Sequence, residues 1–156
     1  MKLKFIIPGI PQAKQSARFR IAGQGNKRFI MSYQKKEVKD EERSIKLIIK
    51  EQLPAGFQML TCGVRITKLH YIFPPLKTFN KKIMWQLQQG QIVPKTTKPD
   101  LSDNLNKGLF DAMQGIVFAN DSQVYEMDNL RKYYGLEPRT EVEIEFNDAS
   151  DLRLAI

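Results

Sequence analysis

The stretch from Lys98 to Gly115, KPDLSDNLNKGLFDAMQG, constrains this chain more than any other. From Leu101 onward its apolar residues Leu101, Leu105, Leu109, Ala112 and Met113 recur at helical spacing and define one buried stripe. Pro99 cannot continue a helix backwards, and Ser102 or Asp103 is placed to cap a first turn. The spacing therefore predicts a helix over Leu101 to Gln114. At about 100° per residue, Asp100, Asp103, Lys107 and Asp111 fall within a sector of roughly 80° on the side away from the stripe.

Charge sharpens that reading. No Asp or Glu occurs from Gln52 to Pro99, and then Asp100, Asp103, Asp111 and Asp121 arrive within 22 residues. Hard divalent cations are bound by one or two carboxylates together with waters and phosphate oxygens, and a lysine one turn away stabilises a phosphate oxygen or a leaving group. The pattern points to phosphodiester chemistry. The ordinary alternative is that acids at a helix start favour the dipole by about 0.3 to 1 kcal/mol, with Asp103 and Lys107 as a simple i,i+4 pair. That alternative leaves Asp121 and the acid-free flanks unexplained.

The same residues carry a family resemblance. Lys98-Pro99-Asp100-x-x-Asp103-Asn104-Leu105-x-Lys107, then Leu109-x-Asp111-Ala112, Gly115-Ile116 and Asp121-Ser122-Gln123-Val124, resemble the RusA family of Holliday-junction resolvases. At the N-terminus, Pro8-Gly9 followed by Lys14 and Arg18 is similar to the family's opening, as are Lys132 to Gly135 and Pro138-Arg139 near the C-terminus. The resemblance implies a bacterial or phage-borne, cytoplasmic endodeoxyribonuclease that acts as a homodimer with Mg²⁺ and nicks four-way DNA symmetrically in recombination and repair. It assigns Asp100, Asp103 and Asp121 to the metal and Lys107 to electrostatic assistance. A twofold dimer matches the two equivalent scissile phosphates of a junction.

The family pattern has one residue between its first two acids, whereas here Leu101 and Ser102 both intervene. A helix that starts late, with Asp100 swung in from an extended residue after Pro99, accommodates the difference and is favoured over a helix begun at Pro99, which would set Asp100 about 60° around the axis from Asp103 and past the ion. Where the family often has two acids before Ser-Gln, Asn120 occupies the first position, and the carry-over falls on Asp121. Two other readings stand beside the resolvase: a non-catalytic junction-binding architectural protein, and a Mg²⁺-dependent nuclease of flaps or other branched DNA.

The 156 residues suit one domain with a sizeable core. Net charge is +8, and Met1 to Lys36 holds nine basic residues and no acid, a distribution suited to nucleic acid. Lys14, Arg18, Arg20, Lys95 and Lys98 are the expected phosphate contacts. No apolar run of about 18 residues is present, so no membrane partner is expected. Cys62 and His70 are each the only residue of their kind, which excludes a thiolate zinc cage and leaves oxygen-ligand metal chemistry.

The pattern predicts strands at Lys2 to Ile7, Arg28 to Ser32, Val64 to Phe73, Gln123 to Tyr134 and Thr140 to Phe146. Helices are predicted at Lys35 to Gln52 and Phe79 to Gln89. Gln12 to Lys27 reads as a basic connection turning at Gly23 and Gly25, forming a hairpin arm suited to DNA. Lys81, Lys82 and Trp85 interleave charge with an aromatic, although a packed tryptophan is the commoner case. Glu141, Glu143 and Glu145 read as one solvated strand face. The fold class expected is α+β, a single domain in which a mixed sheet is packed by two main helices.

Overall fold

The computed structural model describes residues 1–14, 18–22, 29–33 and 36–147; for residues 18–22, 29–33, 37 and 38 the description is of the backbone. The expected turn at Gly23 and Gly25 lies outside the described residues.

The elements in chain order are β1 (Lys2–Pro8), β2 (Arg18–Ala22), β3 (Phe29–Tyr33), α1 (Lys36–Gln52), β4 (Val64–Phe73), α2 (Lys81–Gln88) and β5 (Val93–Pro94). A wide turn (Leu101–Leu105) leads into α3 (Asn106–Met113), a single 3₁₀ turn (Asp121–Gln123) follows, and β6 (Val124–Met127), β7 (Leu130–Tyr134) and β8 (Arg139–Phe146) complete the chain. The expected α+β class, mixed sheet and single domain are what forms. The basic connection holds a strand of its own: β2 and β3 pair antiparallel, with Arg18 opposite Tyr33 and Arg20 opposite Met31.

The main sheet runs β1-β8-β4-β7-β5, and β6 also pairs with β4. β4 is the spine, because it pairs antiparallel with β8 and parallel with both β6 and β7. Strict alternation in β1 and β8 puts Leu3, Phe5, Ile7, Val142, Ile144 and Phe146 on one buried face. Ile49 of α1 and Leu105, Leu109 and Met113 of the α3 region fill the layer against them. At roughly 1.5 to 3 kcal/mol for each fully buried side chain, this layer is the main source of stability.

Three expectations change in detail. Gln123 to Tyr134 is not one strand. Val64 faces Val124 and Leu69 faces Leu130, so β4 advances five residues while its neighbour advances six. The extra residue is Tyr125, taken up where the register slips between the Val64–Val124 and Arg65–Glu126 pairs; the strand itself breaks at Asp128-Asn129, where Asn129 takes a φ of 46°, a conformation that asparagine tolerates. Glu141, Glu143 and Glu145 are not a merely solvated face: Lys68 and Arg139 pair with Glu141, Lys4 with Glu143, and Lys2 with Glu145. Antiparallel register sets Lys2 opposite Glu145 and Lys4 opposite Glu143, so the acids meet bases across the sheet. The outer edge of β1 is blunted by Gln52, whose side-chain amide accepts from the Ile6 N–H and donates to the Ile6 carbonyl, both at 2.8 Å.

The course of α3 decides where the chemistry lies. Near its start, the Tyr71 hydroxyl of β4 donates to Asn106 Oδ1 at 2.9 Å, and both residues are buried. Past its end, the Leu60 N–H donates to the Val117 carbonyl at 2.8 Å, just before β4 begins. The helix therefore runs back along β4, from the level of Tyr71 to that of Leu60. Tyr71→Phe should cost about 1 to 3 kcal/mol, because Asn106 Oδ1 is left buried without this donor. Urea denaturation measures the loss, and an unchanged midpoint would remove this bond from the account.

Candidate active site

The wide turn solves the spacing problem seen in the sequence. The Leu105 N–H reaches back five residues to the Asp100 carbonyl, 3.3 Å away, so Leu101–Leu105 forms a π turn, a device that takes in one extra residue. Asp100 sits before it in extended backbone (φ −73°, ψ 135°) and its side chain makes no capping bond. Neither Ser102 nor Asp103 occupies the cap position, which falls to Asp100. The angular positions of a continuous α-helix do not apply across this turn.

Several buried or half-buried groups hold the turn in place. Leu105 is fully buried beneath it. Lys132 of β7 donates to the carbonyls of Thr97 at 2.8 Å and Pro99 at 2.6 Å, fixing the segment that delivers Asp100. The Lys14 N–H donates to the Asn104 carbonyl at 3.0 Å, and this close pass depends on Gly108. A Cβ there would come within 3.3 Å of Lys14 Cβ. The sequence placed Lys132 only within the family-like stretch Lys132 to Gly135 and gave it no role of its own.

Asp100, Asp103 and Lys107 are exposed, and among the described residues none of them forms an ion pair. The Asp103–Lys107 pair of the ordinary reading is therefore not made. Asp111, expected on the same face, turns instead to Lys14, whose ammonium lies 2.5 Å from Asp111 Oδ2 and 3.2 Å from Glu42 Oε2. Lys46 completes the group at 3.1 Å from Glu42. The expected phosphate contact Lys14 is thus enclosed, with its side chain 11% exposed and both carboxylates already on it.

Of the other expected contacts, Lys95 donates to Thr97 Oγ1 at 2.8 Å and stands over the rings of Phe73 and Tyr134 at 5.0 and 5.2 Å. It braces the approach to the acid motif. Lys98 is exposed. Arg18 and Arg20 lie on β2, where the description stops at the backbone.

Asp121 belongs to a different place. Asn120 accepts from the Ser122 N–H at 2.9 Å, Gln123 Oε1 accepts from the Asn120 N–H at 2.8 Å, and the Gln123 amide donates to the carbonyls of Leu60 and Cys62. This reciprocal cap, foreshadowed by the Asn-x-x-Gln spacing, explains why Asn120 stands where an acid was expected. Asp121 projects from that turn, exposed and without an ion pair among the described residues. The turn opens β6, whose Val124 faces Val64, whereas Lys132, which holds Pro99, faces Tyr71. These anchor points are seven residues apart on β4, roughly 23 Å at 3.3 Å per residue.

The donor chemistry suits a hard divalent cation, since the free oxygens are carboxylate oxygens open to water and phosphate. Among the described residues, however, no three acidic, histidine or cysteine side chains stand together as a metal site. The chain brings Asp100, Asp103 and Lys107 onto one element and leaves Asp121 at the other end of α3. His70 is buried beside the Tyr133 hydroxyl at 3.2 Å, and burial lowers its pKa, which accords with a structural role.

Burial opposes the Lys14 charge, but Asp111 and Glu42 outweigh it and raise its pKa above the ordinary lysine value. Burial likewise opposes the Glu42 charge, and Lys46 and Lys14 outweigh it and lower its pKa. Glu42 thus adds stability above its unfolded value of about 4.5, lost as pH falls through its lower folded value. Lys14 adds stability below its unfolded value of about 10.5, lost as pH rises through its higher folded value. Lys14→Met should therefore cost about 1 to 3 kcal/mol at neutral pH and less below pH 4.5, where Glu42 takes up a proton. Urea titrations at the two pH values test this, and a pH-independent cost would contradict it.

A family profile described as Endodeoxyribonuclease RusA matches residues 8–145. The protein named "Uncharacterized protein YqaN" of Bacillus subtilis (strain 168) is 38% identical over 77 residues, 49% of this chain and 52% of that relative. The chain spans about half the length of this curated relative. The profile match runs from the last residue of β1 into β8 and takes in the hairpin, both ends of α3 and all the acids discussed above; this chain belongs to the RusA endodeoxyribonuclease family.

Proposed function

We propose that this chain is a divalent-metal-dependent endodeoxyribonuclease that resolves four-way DNA junctions as a homodimer, by paired symmetric nicks. The observation that carries the reading is the state of Asp100, Asp103 and Lys107. They are exposed and unpaired among the described residues, on a turn fixed by Leu105, Lys132 and the Lys14 backbone. Neighbouring charges on the sheet and on α1 are satisfied in pairs. A chain of net charge +8 supplies attraction for a polyanion.

In this mechanism Asp100 and Asp103 hold the cation from the start of α3, and Asp121 contributes a third carboxylate. Mg²⁺, when bound, supplies a polarised water and neutralises charge on the phosphate. Lys107, one turn beyond Asp103, stabilises the oxygen that gains charge as the strand breaks. Because Asp121 lies at the far end of α3 from the acid pair, we assign it to the site of the second copy in the dimer. A twofold arrangement then gives two sites for two scissile phosphates. The β2–β3 hairpin, bearing Arg18 and Arg20, and Lys98 beside the acid motif are the proposed phosphate contacts. Lys14 and Lys95 act by bracing the elements that carry them.

On a labelled four-way junction, cleavage should require Mg²⁺ and stop with EDTA. Asp103→Asn and Asp100→Asn should each lower the cleavage rate by about 100-fold or more while binding persists. Asp111→Asn should act mainly on stability, through Lys14. Metal-independent cutting, or full activity in Asp103→Asn, would overturn the reading. Preferential cutting of flaps over junctions would favour the branched-DNA nuclease, and binding without cutting the architectural protein.

A further inference from the structure

Trp85 stands apart from the charges that the mechanism uses. It is the one tryptophan of the chain and is 55% exposed on α2, contrary to the packed role usual for this residue. Lys81 and Lys82, both exposed, lie one helical turn before it, at i−4 and i−3, so the two ammonium groups share its face. The chain around it contains no acid from Gln52 to Pro99.

The platform is rigid. Asn80 caps the helix by accepting from the Ile83 N–H at 2.9 Å, and Leu87 is buried on the opposite face. Phe79 packs edge-on against Tyr134 with ring centroids 4.9 Å apart. The chain then leads from α2 through Val93–Pro94, paired with β7, into the segment that Lys132 holds before Asp100. An indole held open on a fixed helix loses little entropy when it acquires a flat partner.

We propose that Trp85, flanked by Lys81 and Lys82, is a stacking platform for an unstacked base at the branch point of DNA. The two lysines contact the phosphates on either side. In continuous duplex both faces of each base pair are covered by neighbouring pairs. An indole finds a free π-face only where stacking is interrupted, as at a strand-exchange point. The platform would thereby recognise branched DNA by its structure, independently of its sequence. This inference rests on the DNA-junction reading above.

The single tryptophan gives a direct readout. With metal omitted to prevent cleavage, binding of a four-way junction and of a linear duplex of equal length is followed by gel shift and by intrinsic fluorescence. The junction should quench Trp85 emission and protect it from iodide, and the duplex should do neither. Trp85→Ala should weaken junction binding by about tenfold or more with duplex binding unchanged, and Trp85→Phe should recover part of the loss. Junction binding with unmoved emission, equal quenching by duplex, or emission that changes with protein concentration without DNA would overturn the platform; the last would mark a contact between copies. Failure to bind any DNA would overturn the junction reading itself and the platform with it.

Discussion

The antiparallel run of α3 along β4 is the constraint on which the rest of the molecule depends. A buried hydroxyl–amide bond, Tyr71 to Asn106, fixes one end, and backbone bonds between Leu60 and the 117–119 segment fix the other. With Leu105, Leu109, Ala112 and Met113 buried between them, the helix has little freedom to slide. Its polar ends are then delivered to opposite ends of the spine strand. The acid pair arrives at one and Asp121 at the other, and a single chain does not gather them. In the proposed reading, chemistry that uses all three acids draws on a second copy.

Charge is distributed to match. Where carboxylates serve the fold they are matched across strands or helices, as with Glu143 and Lys4, or Asp111 and Lys14. Asp100, Asp103, Asp121 and Lys107 have no such partner among the described residues. Exposed pairs contribute only about 0 to 1 kcal/mol, so leaving these four unpaired costs the fold little. It leaves their oxygens and ammonium free for phosphate and metal. Lys14 shows the converse, since its charge is spent on joining the N-terminal segment to α1 and α3, at the base of the basic hairpin.

Much of this was legible in the sequence because it depends on local periodicity. The alternation in Lys2 to Ile7 and Thr140 to Phe146 and the run from Val64 to Phe73 each specify an element within a residue or two, and the apolar stripe from Leu101 to Met113 specifies a helix whose first five residues form the π turn instead. The Asp100–Lys107 motif was equally visible, and an extended Asp100 before a late helix start follows from its spacing. What escaped are features set by long-range partners. Nothing local shows that Lys14 will meet Asp111, 97 residues away, or that Lys132 will hold Pro99. The extra residue at Tyr125 shows only when β6 is counted against β4, which no single strand records. The separation of Asp121 from the acid pair is likewise a property of topology, invisible to a motif.

The central claim, that each active site draws on two copies, is tested most directly by subunit complementation. Chains carrying Asp103→Asn and chains carrying Asp121→Asn are mixed, subunit exchange is confirmed with differently tagged copies, and cleavage of a four-way junction is followed with Mg²⁺. Each variant alone has no intact site. A mixed dimer regains one, with Asp103 from one chain and Asp121 from the other, and should nick a single strand of the junction. A mixture as inactive as its components, with exchange confirmed, would show that each chain builds its site alone.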